Sequence, residues 1–369
     1  MSRDLYLVAD DLTGALDSAA AFATPEAPVT VSWSSPEPSD PGPFAFSTET
    51  RDASLATAID RSGLAAAAVD RTGRSLIFKK IDSLLRGHVA AELAAFARRL
   101  APDRIVLAPA HPTLGRVTQG GIQLARDADG VLQPTAIDLA SALASCCVGL
   151  RPNGERLPLV LADADSQADL EAVVAREQMH VGRILWCGSG GLAQALAGPM
   201  RAPIAVPAGP TLLVIGTDHP VTAAQIEAMR GCDPDAVIVW REGDRVPALG
   251  ERIARRLAAG HPAVLVPDIS PCLRDEAARA IAAMLTPLLH SIPRPGALFC
   301  SGGETLRVVC DALGADGLQC EGFITDGIPL SRLRGGRWPG LTVTSKSGAF
   351  GEPDRLATLF LPAAGPLGC

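Results

Sequence analysis

The sequence predicts an α/β protein of two domains, each built on a mostly parallel β-sheet flanked by helices. Short runs of Leu, Val and Ile, each ending at Gly, Asp or a small polar residue, alternate with Ala-rich segments of helical period. Strands that are apolar throughout are typical of a parallel sheet covered on both faces. The length of 369 residues favours about two domains, since a domain typically holds roughly 100 to 200 residues.

Apolar runs and helical segments alternate through both halves of the chain. The runs predicted as strands include residues 5–9, 75–80, 104–110, 157–163, 183–188, 211–216, 236–240, 263–267 and 297–303. The segments predicted as helices are residues 14–23, 88–101, 166–178, 190–201, 222–230, 249–260 and 274–290. Pro and Gly collect between residues 199 and 210, and a new strand begins at Thr211. We therefore predict a boundary near Val206, with domains at residues 1–206 and 207–369.

The composition is that of a folded globular protein without a nucleic-acid partner. Hydrophobic residues make up 47% and charged residues 20%, as in ordinary globular domains. The net charge of -7 disfavours binding to a phosphate backbone, which needs a basic face. No apolar run reaches the roughly 18 residues that span a bilayer, and the amino terminus does not resemble a signal peptide. These observations predict a cytoplasmic protein that binds neither nucleic acid nor membrane.

The cysteines predict reduced thiols rather than disulfides. The sequence has nine of them, an odd number, and no CxxC pair. Free cysteine is among the most buried residue types, so most of these thiols are expected in the core. The cysteines indicate no metal site, and the metal ligands of the protein stay unknown at this stage.

Charged residues follow the first apolar runs, where ligands of an open α/β sheet bind. Asp10 and Asp11 come directly after the first run, and Arg51 follows a short strand-like segment. Residues 79–88, KKIDSLLRGH, concentrate cations ahead of a long predicted helix, and a helix amino terminus attracts anions. The two carboxylates are expected to hold a polyhydroxylated substrate or a cation, and residues 79–88 are expected to form a receptor for a small anion. Asp11 with Thr13 also suits a helix N-cap, and Arg51 a solvated position.

Turns rich in Gly follow the apolar runs of the second half. Gly302 and Gly303 lie between a buried strand and a helix, where a ligand can approach the backbone closely. Residues 346–348, Lys-Ser-Gly, are predicted to contact phosphate, and Thr217 follows another strand. The segment around Thr217 contains neither the GxGxxG nor the GxxxxGK[ST] phosphate-binding motif, so this turn alone is a weak indication of a nucleotide site. In the first half, the loop with His111 and Arg116 fits either a ligand site or plain surface.

In this order, the motifs resemble those of the four-carbon acid sugar kinases, over nearly the whole chain. The motifs are ADDLTGALDSA, STETR, FKKIDSLLRGHVAAEL, PAHPTLGRVTQGG, GSGGLA, PVTAAQI after Gly216-Thr217, SGGET and SKSGAFGEPD. The resemblance implies ATP-dependent phosphorylation, with Mg²⁺, of the terminal hydroxyl of threonate, erythronate or a 3-oxo-tetronate. It also implies that the first domain holds the acid, the second holds ATP, and the active site lies in the cleft between the domains.

The resemblance also implies the residues of both sites. The substrate-binding residues would be Asp10, Asp11, Arg51, Lys80, Asp82, Ser83, Arg86 and Gly87. The nucleotide-binding residues would be Thr217, Gly302, Gly303, Glu304, Thr305, Lys346, Ser347 and Gly348. As catalytic residues, Asp82 or Asp11 would accept the hydroxyl proton. Arg86 or Lys80 would hold the substrate carboxylate or the developing phosphate charge, and Glu304 would lie near the metal.

Departures from the family pattern keep other functions open. Leu84 stands where the family usually has a small hydroxyl residue, and His111 lies in a loop that more often carries an aromatic residue and an acid. A kinase for a branched or longer oxo acid, such as 3-oxo-isoapionate, is therefore one alternative. A non-catalytic sugar-acid sensor is another, and it predicts binding without ADP release. A homodimer is also left open.

Overall fold

The computed structural model describes residues 4–72, 76–127, 129–199, 201–241, 243–268 and 274–361. The chain divides into two compact units, unit 1 (residues 1–202) and unit 2 (residues 203–369). The division falls inside the segment rich in Pro and Gly between residues 199 and 210.

Unit 1 is built on a parallel sheet. Its strands, in chain order, are β1 (Leu5–Ala9), β2 (Val29–Ser32), β3 (Phe44–Ser47), β4 (Leu76–Lys80), β5 (Arg104–Ala108), then β6 (Arg116–Gln119), β7 (Ile122–Arg126) and β8 (Leu132–Pro134), and finally β9 (Leu159–Leu161) and β10 (Ile184–Gly188). The main sheet has the order β2-β3-β1-β4-β10-β5-β9, and its neighbours pair in parallel. Strands β6, β7 and β8 form a separate antiparallel sheet, which the sequence analysis did not predict.

Helices cover the main sheet of unit 1 in two groups. They are α1 (Leu12–Phe22), α2 (Leu55–Thr72), α3 (Val89–Leu100), α4 (Leu139–Ser145), α5 (Gln167–Glu177) and α6 (Gly190–Ala197). Helix α1 packs with α6 and α6 with α5, whereas α3 packs with α2 and α4. Helix α3 packs on the sheet through one apolar face. Leu93, Phe96 and Leu100 repeat at helical spacing and are buried in one cluster with Tyr6 and Ile77 of the sheet.

Unit 2 repeats the plan with an added antiparallel edge. Its strands are β11 (Thr211–Ile215), β12 (Val237–Trp240), β13 (Ala263–Pro267), β14 (Ala297–Ser301), β15 (Ala315–Thr325), β16 (Ile328–Gly335) and β17 (Thr342–Lys346). Within unit 2 the order is β12-β13-β11-β14-β17-β16-β15, parallel from β12 to β17 and antiparallel at β16. The hairpin of β15 and β16 was not predicted, although its Asp326-Gly327 turn is a common hairpin signal.

The helices of unit 2 complete a second α/β layer structure. They are α7 (Pro220–Cys232), α8 (Val246–Ala258), α9 (Arg274–Ser291), α10 (Gly303–Ala312) and α11 (Arg355–Phe360). Helix α9 packs against α8 and α10, while α7 packs against α11. The predicted α/β class is confirmed, with mostly parallel strands flanked by helices in each unit. None of the helices in the described ranges has both the length and the hydrophobicity of a membrane-spanning segment.

The cysteines are free thiols wherever the structure describes them, as predicted. Cys187, Cys300, Cys310 and Cys320 are buried. Cys146 is half-buried, whereas Cys147 and Cys232 are exposed, so the expectation of burial fails at those two positions. Cys272 and Cys369 lie outside the described residues.

Candidate active site

The carboxyl ends of β1, β3 and β4 bring the predicted carboxylates and cations of unit 1 together. Strand β1 pairs with β3 on one side and β4 on the other, so the residues that follow these strands share one edge. Asp10 and Asp11 follow β1, Arg51 follows β3, and Lys80 ends β4 just before Asp82. Because strands of a parallel sheet end on the same side, residues distant in sequence become neighbours here.

Arg51 binds both carboxylates that follow β1. Its Nε and Nη2 lie 3.0 and 2.8 Å from the two oxygens of Asp10, and its Nη1 lies 2.5 Å from Oδ2 of Asp11. Burial would raise the pKa of Asp10, but the charges of Arg51 and Lys80 outweigh it and hold that pKa below its ordinary value. Asp11 also accepts a hydrogen bond from the backbone N–H of Gly14 at 2.8 Å and so caps α1. Asp11 is therefore the N-cap of α1 and a partner of Arg51, and its contact with a substrate stays a prediction.

Asp82 forms a second carboxylate–guanidinium pair with Arg86. Arg86 Nε and Nη2 lie 3.0 and 2.7 Å from the Asp82 oxygens, and the backbone N–H groups of Leu84 and Arg86 donate to Oδ2. Burial opposes ionisation, but these hydrogen bonds and the charge of Arg51 hold the pKa of Asp82 well below its usual range. Arg86 is 59% exposed in its side chain, so its far edge faces solvent.

The turn that carries this pair has an unusual backbone. Leu85 is fully buried and has a φ of 63°, a conformation that costs free energy for a residue with a Cβ. Its N–H donates to the carbonyl of Asp82 at 2.9 Å. Gly87 follows with a φ of 84°, and a Cβ there would lie 3.2 Å from the carbonyl oxygen of Arg51. Gly87 thus brings the turn against the backbone of Arg51.

The segment that follows β5 carries His111, and β6 begins with Arg116. Both residues lie at this edge of the sheet. Arg116 Nη1 lies 2.8 Å from the hydroxyl oxygen of Ser83. Gln123 of β7 donates to the Ser83 carbonyl at 2.8 Å and fixes the same turn. His111 is buried, with Nδ1 3.0 Å from the hydroxyl of Thr113. Burial, and the charges of Lys80 and Arg116, lower the pKa of His111 to about 3, so its imidazole is neutral.

A buried ion pair lies behind the edge. Lys79 Nζ is 2.6 Å from Oε2 of Glu92 on α3, and both side chains are almost completely buried. The other oxygen of Glu92 accepts a hydrogen bond from the hydroxyl of Thr50 at 2.9 Å, directly before Arg51. Burial would lower the pKa of Lys79, but the carboxylates of Glu92 and Asp10 raise it above its ordinary value. The pair therefore connects α3 to the segment that carries Arg51.

In unit 2 the turns after β11, β14 and β17 meet at one edge. Gly302 has a φ of 105°, and its N–H donates to the carbonyl of Lys346 at 3.0 Å. A Cβ at Gly302 would lie 3.1 Å from the hydroxyl of Thr305 and 3.6 Å from Cβ of Thr217. A Cβ at Gly348 would overlap the Thr217 hydroxyl. The threonine side chains packed against these two residues, and the positive φ of Gly302, favour Gly at both positions.

Lys346 points into unit 2. Its residue is 1% exposed, and Nζ lies 2.8 Å from the hydroxyl of Thr222 and 3.2 Å from the carbonyl of Ser347. The hydroxyl of Thr222 in turn donates to the carbonyl of Gly348 at 2.7 Å. Burial lowers the pKa of Lys346 to about 8. In this structure Lys346 holds the Ser347-Gly348 turn against α7.

Comparison with known proteins identifies both units. A family model described as a sugar-binding N-terminal domain matches residues 5–146, and one described as a nucleotide-binding C-terminal domain matches residues 212–356. A D-threonate kinase from Cupriavidus necator is 32% identical and covers 76% of this chain and 78% of its own. The chain belongs to the four-carbon acid sugar kinase family.

Other members of the four-carbon acid sugar kinase family align along almost the whole chain. A D-threonate kinase from Bordetella bronchiseptica is 28% identical over 95% of each chain, and a D-erythronate kinase from Heliobacterium modesticaldum is 24% identical over 96% of each chain. A crystal structure from Haemophilus influenzae shares the fold, with a TM-score of 0.67, 20% identity and coverage of 95% of this chain and 98% of its own. Membership confirms the predicted enzyme class, a sugar-acid kinase.

The sequence analysis missed one part of this four-carbon acid sugar kinase, the pair of Lys79 and Glu92. Successive residues of a strand point to opposite faces, so Lys79 and Lys80 must enter different helix layers. A charged side chain inside a strand buried on both faces needs a partner there. The sequence shows a lysine inside an apolar strand, which indicates a buried partner. Only the packing of α3 on the sheet shows that this partner is Glu92.

Proposed function

We propose that the protein transfers the γ-phosphoryl group of ATP to the terminal hydroxyl of a four-carbon sugar acid of the threonate, erythronate or 3-oxo-tetronate type. The observation that carries the proposal is the chemical contrast between the two strand edges. The edge of unit 1 gathers carboxylates and cations suited to a small polyhydroxy acid, and that of unit 2 gathers glycine turns suited to phosphates. The D-threonate and D-erythronate kinases of the same family support this assignment.

In the proposed reaction Asp82 accepts a hydrogen bond from the reacting hydroxyl and then its proton. Phosphoryl transfer has a loose transition state, so an ionised carboxylate of low basicity suffices for this role. The lowered pKa of Asp82 keeps it ionised at neutral pH. Asp11 stays the alternative acceptor, because in each carboxylate one oxygen accepts a single hydrogen bond, from Gly14 in Asp11 and from the Arg86 guanidinium in Asp82.

Arg86 is the cation proposed to meet the transferred group. Its guanidinium is fixed by Asp82 yet is 59% exposed, so it can bind an additional oxyanion. A cation placed where charge develops stabilises the transition state for transfer. In-line transfer also needs the hydroxyl and the γ-phosphate roughly 3 to 3.5 Å apart, so the two ligands must meet during the reaction.

ATP is proposed to bind at the edge of unit 2, with Mg²⁺. The N–H groups at the start of α10, and the turns of Thr217 and Gly348, offer donors to phosphate. Glu304 is exposed in the first turn of α10 and supplies a carboxylate at that edge. Such a donor set fits Mg²⁺, which typically takes one or two carboxylates and completes its shell with phosphates and water. When bound, Mg²⁺ neutralises charge on the phosphates.

A coupled ADP-release assay tests the proposed function. The purified protein is given ATP and Mg²⁺ with D-threonate, D-erythronate, their 3-oxo analogues and 3-oxo-isoapionate in parallel. We expect turnover with a four-carbon acid and a kcat at least about 10²-fold lower in Asp82→Asn. The matched control Asp138→Asn changes an exposed helix cap of α4 and leaves kcat unchanged.

The same assay separates the alternatives. Turnover with the branched acid alone would favour the alternative substrate. That alternative was suggested by Leu84 and His111, which depart from the family pattern. Binding of an acid, measured by calorimetry, with no ADP release from any acid would favour the sensor. Full kcat in Asp82→Asn would show that Asp82 is not the proton acceptor.

A further inference from the structure

The cations at the edge of unit 1 differ in whether a carboxylate neutralises them. Arg51 is held by Asp10 and Asp11, and Arg86 is held by Asp82. In each pair the guanidinium meets a carboxylate at 2.8 Å or less. Their charges are therefore largely balanced before any ligand binds.

Lys80 is a buried cation without such a partner. The residue is 6% exposed, and across the described residues its ammonium has neither a hydrogen bond nor an ion pair within 4 Å. A Cβ added to Gly14 would lie 3.1 Å from Lys80 Nζ, so this glycine leaves the ammonium uncovered at the start of α1. A desolvated cation is costly unless an anion joins it.

Arg116 is the second cation without a carboxylate. Within the described part of the chain its guanidinium donates to the hydroxyl of Ser83 at 2.8 Å and forms no ion pair. Burial lowers the pKa of Arg116, and the charge of Asp82, which forms no ion pair with it, offsets this only in part. Lys80 and Arg116 also act on one group, because the charges of both lower the pKa of His111. Both cations therefore lie close enough to His111 for their charges to act on its imidazole.

Ser83 completes the arrangement. Its hydroxyl oxygen accepts the hydrogen bond from Arg116 and keeps its own proton to donate. Its backbone carbonyl is fixed by Gln123, so the hydroxyl is held by a rigid turn. An ammonium, a guanidinium edge and a hydroxyl are the donors that a carboxylate accepts best.

We propose that Lys80 and Arg116, with the Ser83 hydroxyl, bind the carboxylate of the sugar acid. This inference rests on the proposed function and deepens it. It gives Arg116 a binding role that the sequence left undecided, and it leaves Arg86 for the transferred phosphoryl group. The carboxylate end of the acid is then held by β4 and the loop after β5, and the hydroxyl end is directed to Asp82.

The test compares an acid with its amide. Calorimetry without nucleotide measures the dissociation constants of D-threonate and D-erythronate, and of the corresponding amides, which lack the charge. Arg116→Gln keeps an N–H donor near Ser83 but removes the cation. We expect the preference of the wild type for acid over amide to fall about 10- to 100-fold in this variant, because a charge-assisted hydrogen bond is lost.

Matched variants complete the design. Arg126→Gln makes the same change in the neighbouring strand β7, where the guanidinium binds the carbonyl of Gly130, and leaves the preference unchanged. Lys80→Met removes the other cation, and we expect it to lower the preference for acid over amide as well. Arg116→Lys keeps the positive charge, and we expect it to retain most of that preference. Thermal melting of each variant confirms folding before binding is compared.

The outcomes separate this inference from the proposed function. Equal acid-to-amide preference in wild type, Arg116→Gln and Lys80→Met would overturn the carboxylate site, and so would a wild type that does not distinguish acid from amide. Both results concern binding alone. Absence of ADP release with intact acid preference would instead contradict the kinase reaction while supporting the carboxylate site.

Discussion

Arg51 donates two hydrogen bonds to the carboxylate of Asp10, from Nε to Oδ2 at 3.0 Å and from Nη2 to Oδ1 at 2.8 Å. Asp10 is 3% exposed, so loss of the guanidinium would leave a buried, unpaired carboxylate. We expect Arg51→Met to lower the free energy of unfolding by about 3 to 5 kcal/mol, measured by urea denaturation. The control is Arg332→Met, whose ion pair with Glu321 is half exposed and is worth about 1 kcal/mol or less. Equal losses in the two variants would contradict the structural role of the Arg51 pair.

The buried pair of Lys79 and Glu92 gives a prediction about pH. Because the pKa of Lys79 is raised, the stabilisation from its charge is fully present below its unfolded pKa of 10.5 and is lost only as pH rises through the folded value. In Glu92→Gln the partner charge is removed and burial lowers the pKa of Lys79, so the unfolded chain binds more protons than the native protein. We therefore expect Glu92→Gln to be destabilised by about 3 to 5 kcal/mol at neutral pH and to regain stability as pH rises.

The double variant Lys79→Met with Glu92→Leu is the control for this pair. It leaves no unpaired charge, so it should be more stable than Glu92→Gln alone and should lack the pH-dependent recovery. Urea denaturation at a series of pH values measures both effects. A flat pH profile for Glu92→Gln would contradict the assignment of a charged, fully buried Lys79.

Lys346 is predicted to titrate far below an ordinary lysine. Its pKa of about 8 lies below the ordinary 10.5, so the native protein loses this proton while the unfolded chain keeps it. Stability should therefore rise between about pH 8 and 10.5, by up to about 3 kcal/mol, and Lys346→Met should lack this rise.

Lysine NMR offers a direct measurement of that pKa. Lys79, Lys80 and Lys346 are the only lysines of the chain, so ¹³Cε-lysine labelling gives three signals, and single variants assign them. We expect the Lys346 signal to titrate near pH 8 and the Lys79 signal to stay constant up to pH 10. Titration of the Lys346 signal at the ordinary value would contradict its burial without a counter-charge.

Gly302 gives a prediction for nucleotide binding. Its φ of 105° is unfavourable for any residue with a Cβ, and a Cβ would lie 3.1 Å from the hydroxyl of Thr305. We expect Gly302→Ala to raise the KM for ATP about 5- to 100-fold and to leave the KM for the acid unchanged. Gly260→Ala is the control, because Gly260 also has a positive φ, 82°, but open space around it. An unchanged KM for ATP in Gly302→Ala would remove this turn from the nucleotide site.

The sequence allowed the strand edges to be predicted but not the direction of every side chain. Asp10, Arg51 and Lys80 could be placed at one edge because apolar runs mark buried parallel strands and ligands bind at their carboxyl ends. The pairing of Lys79 with Glu92 depends on how a helix packs over a strand, which a single run does not determine. Lys346 was predicted to contact phosphate, and that contact stays a prediction, because the structure turns its ammonium toward Thr222.

The missed strands have a similar cause. The sheet of β6, β7 and β8 consists of short strands that are only partly buried, so no continuous apolar run marks them. In the hairpin, β15 alternates buried and half-buried residues along most of its length, whereas β16 is buried at its first four residues and mixed after them. Such a pattern is weaker than the fully apolar runs of the parallel strands.

The position of the phosphate on the product tests the central claim most directly. The protein is incubated with ATP, Mg²⁺ and the four-carbon acid that gives the fastest ADP release, and the product is analysed by ³¹P-coupled proton NMR. The account predicts a single phosphate ester on the terminal carbon, with coupling to its two protons, and no such product from Asp82→Asn in the same time. Phosphate on an internal hydroxyl or on the carboxylate, or no phosphorylated acid at all, would contradict the account.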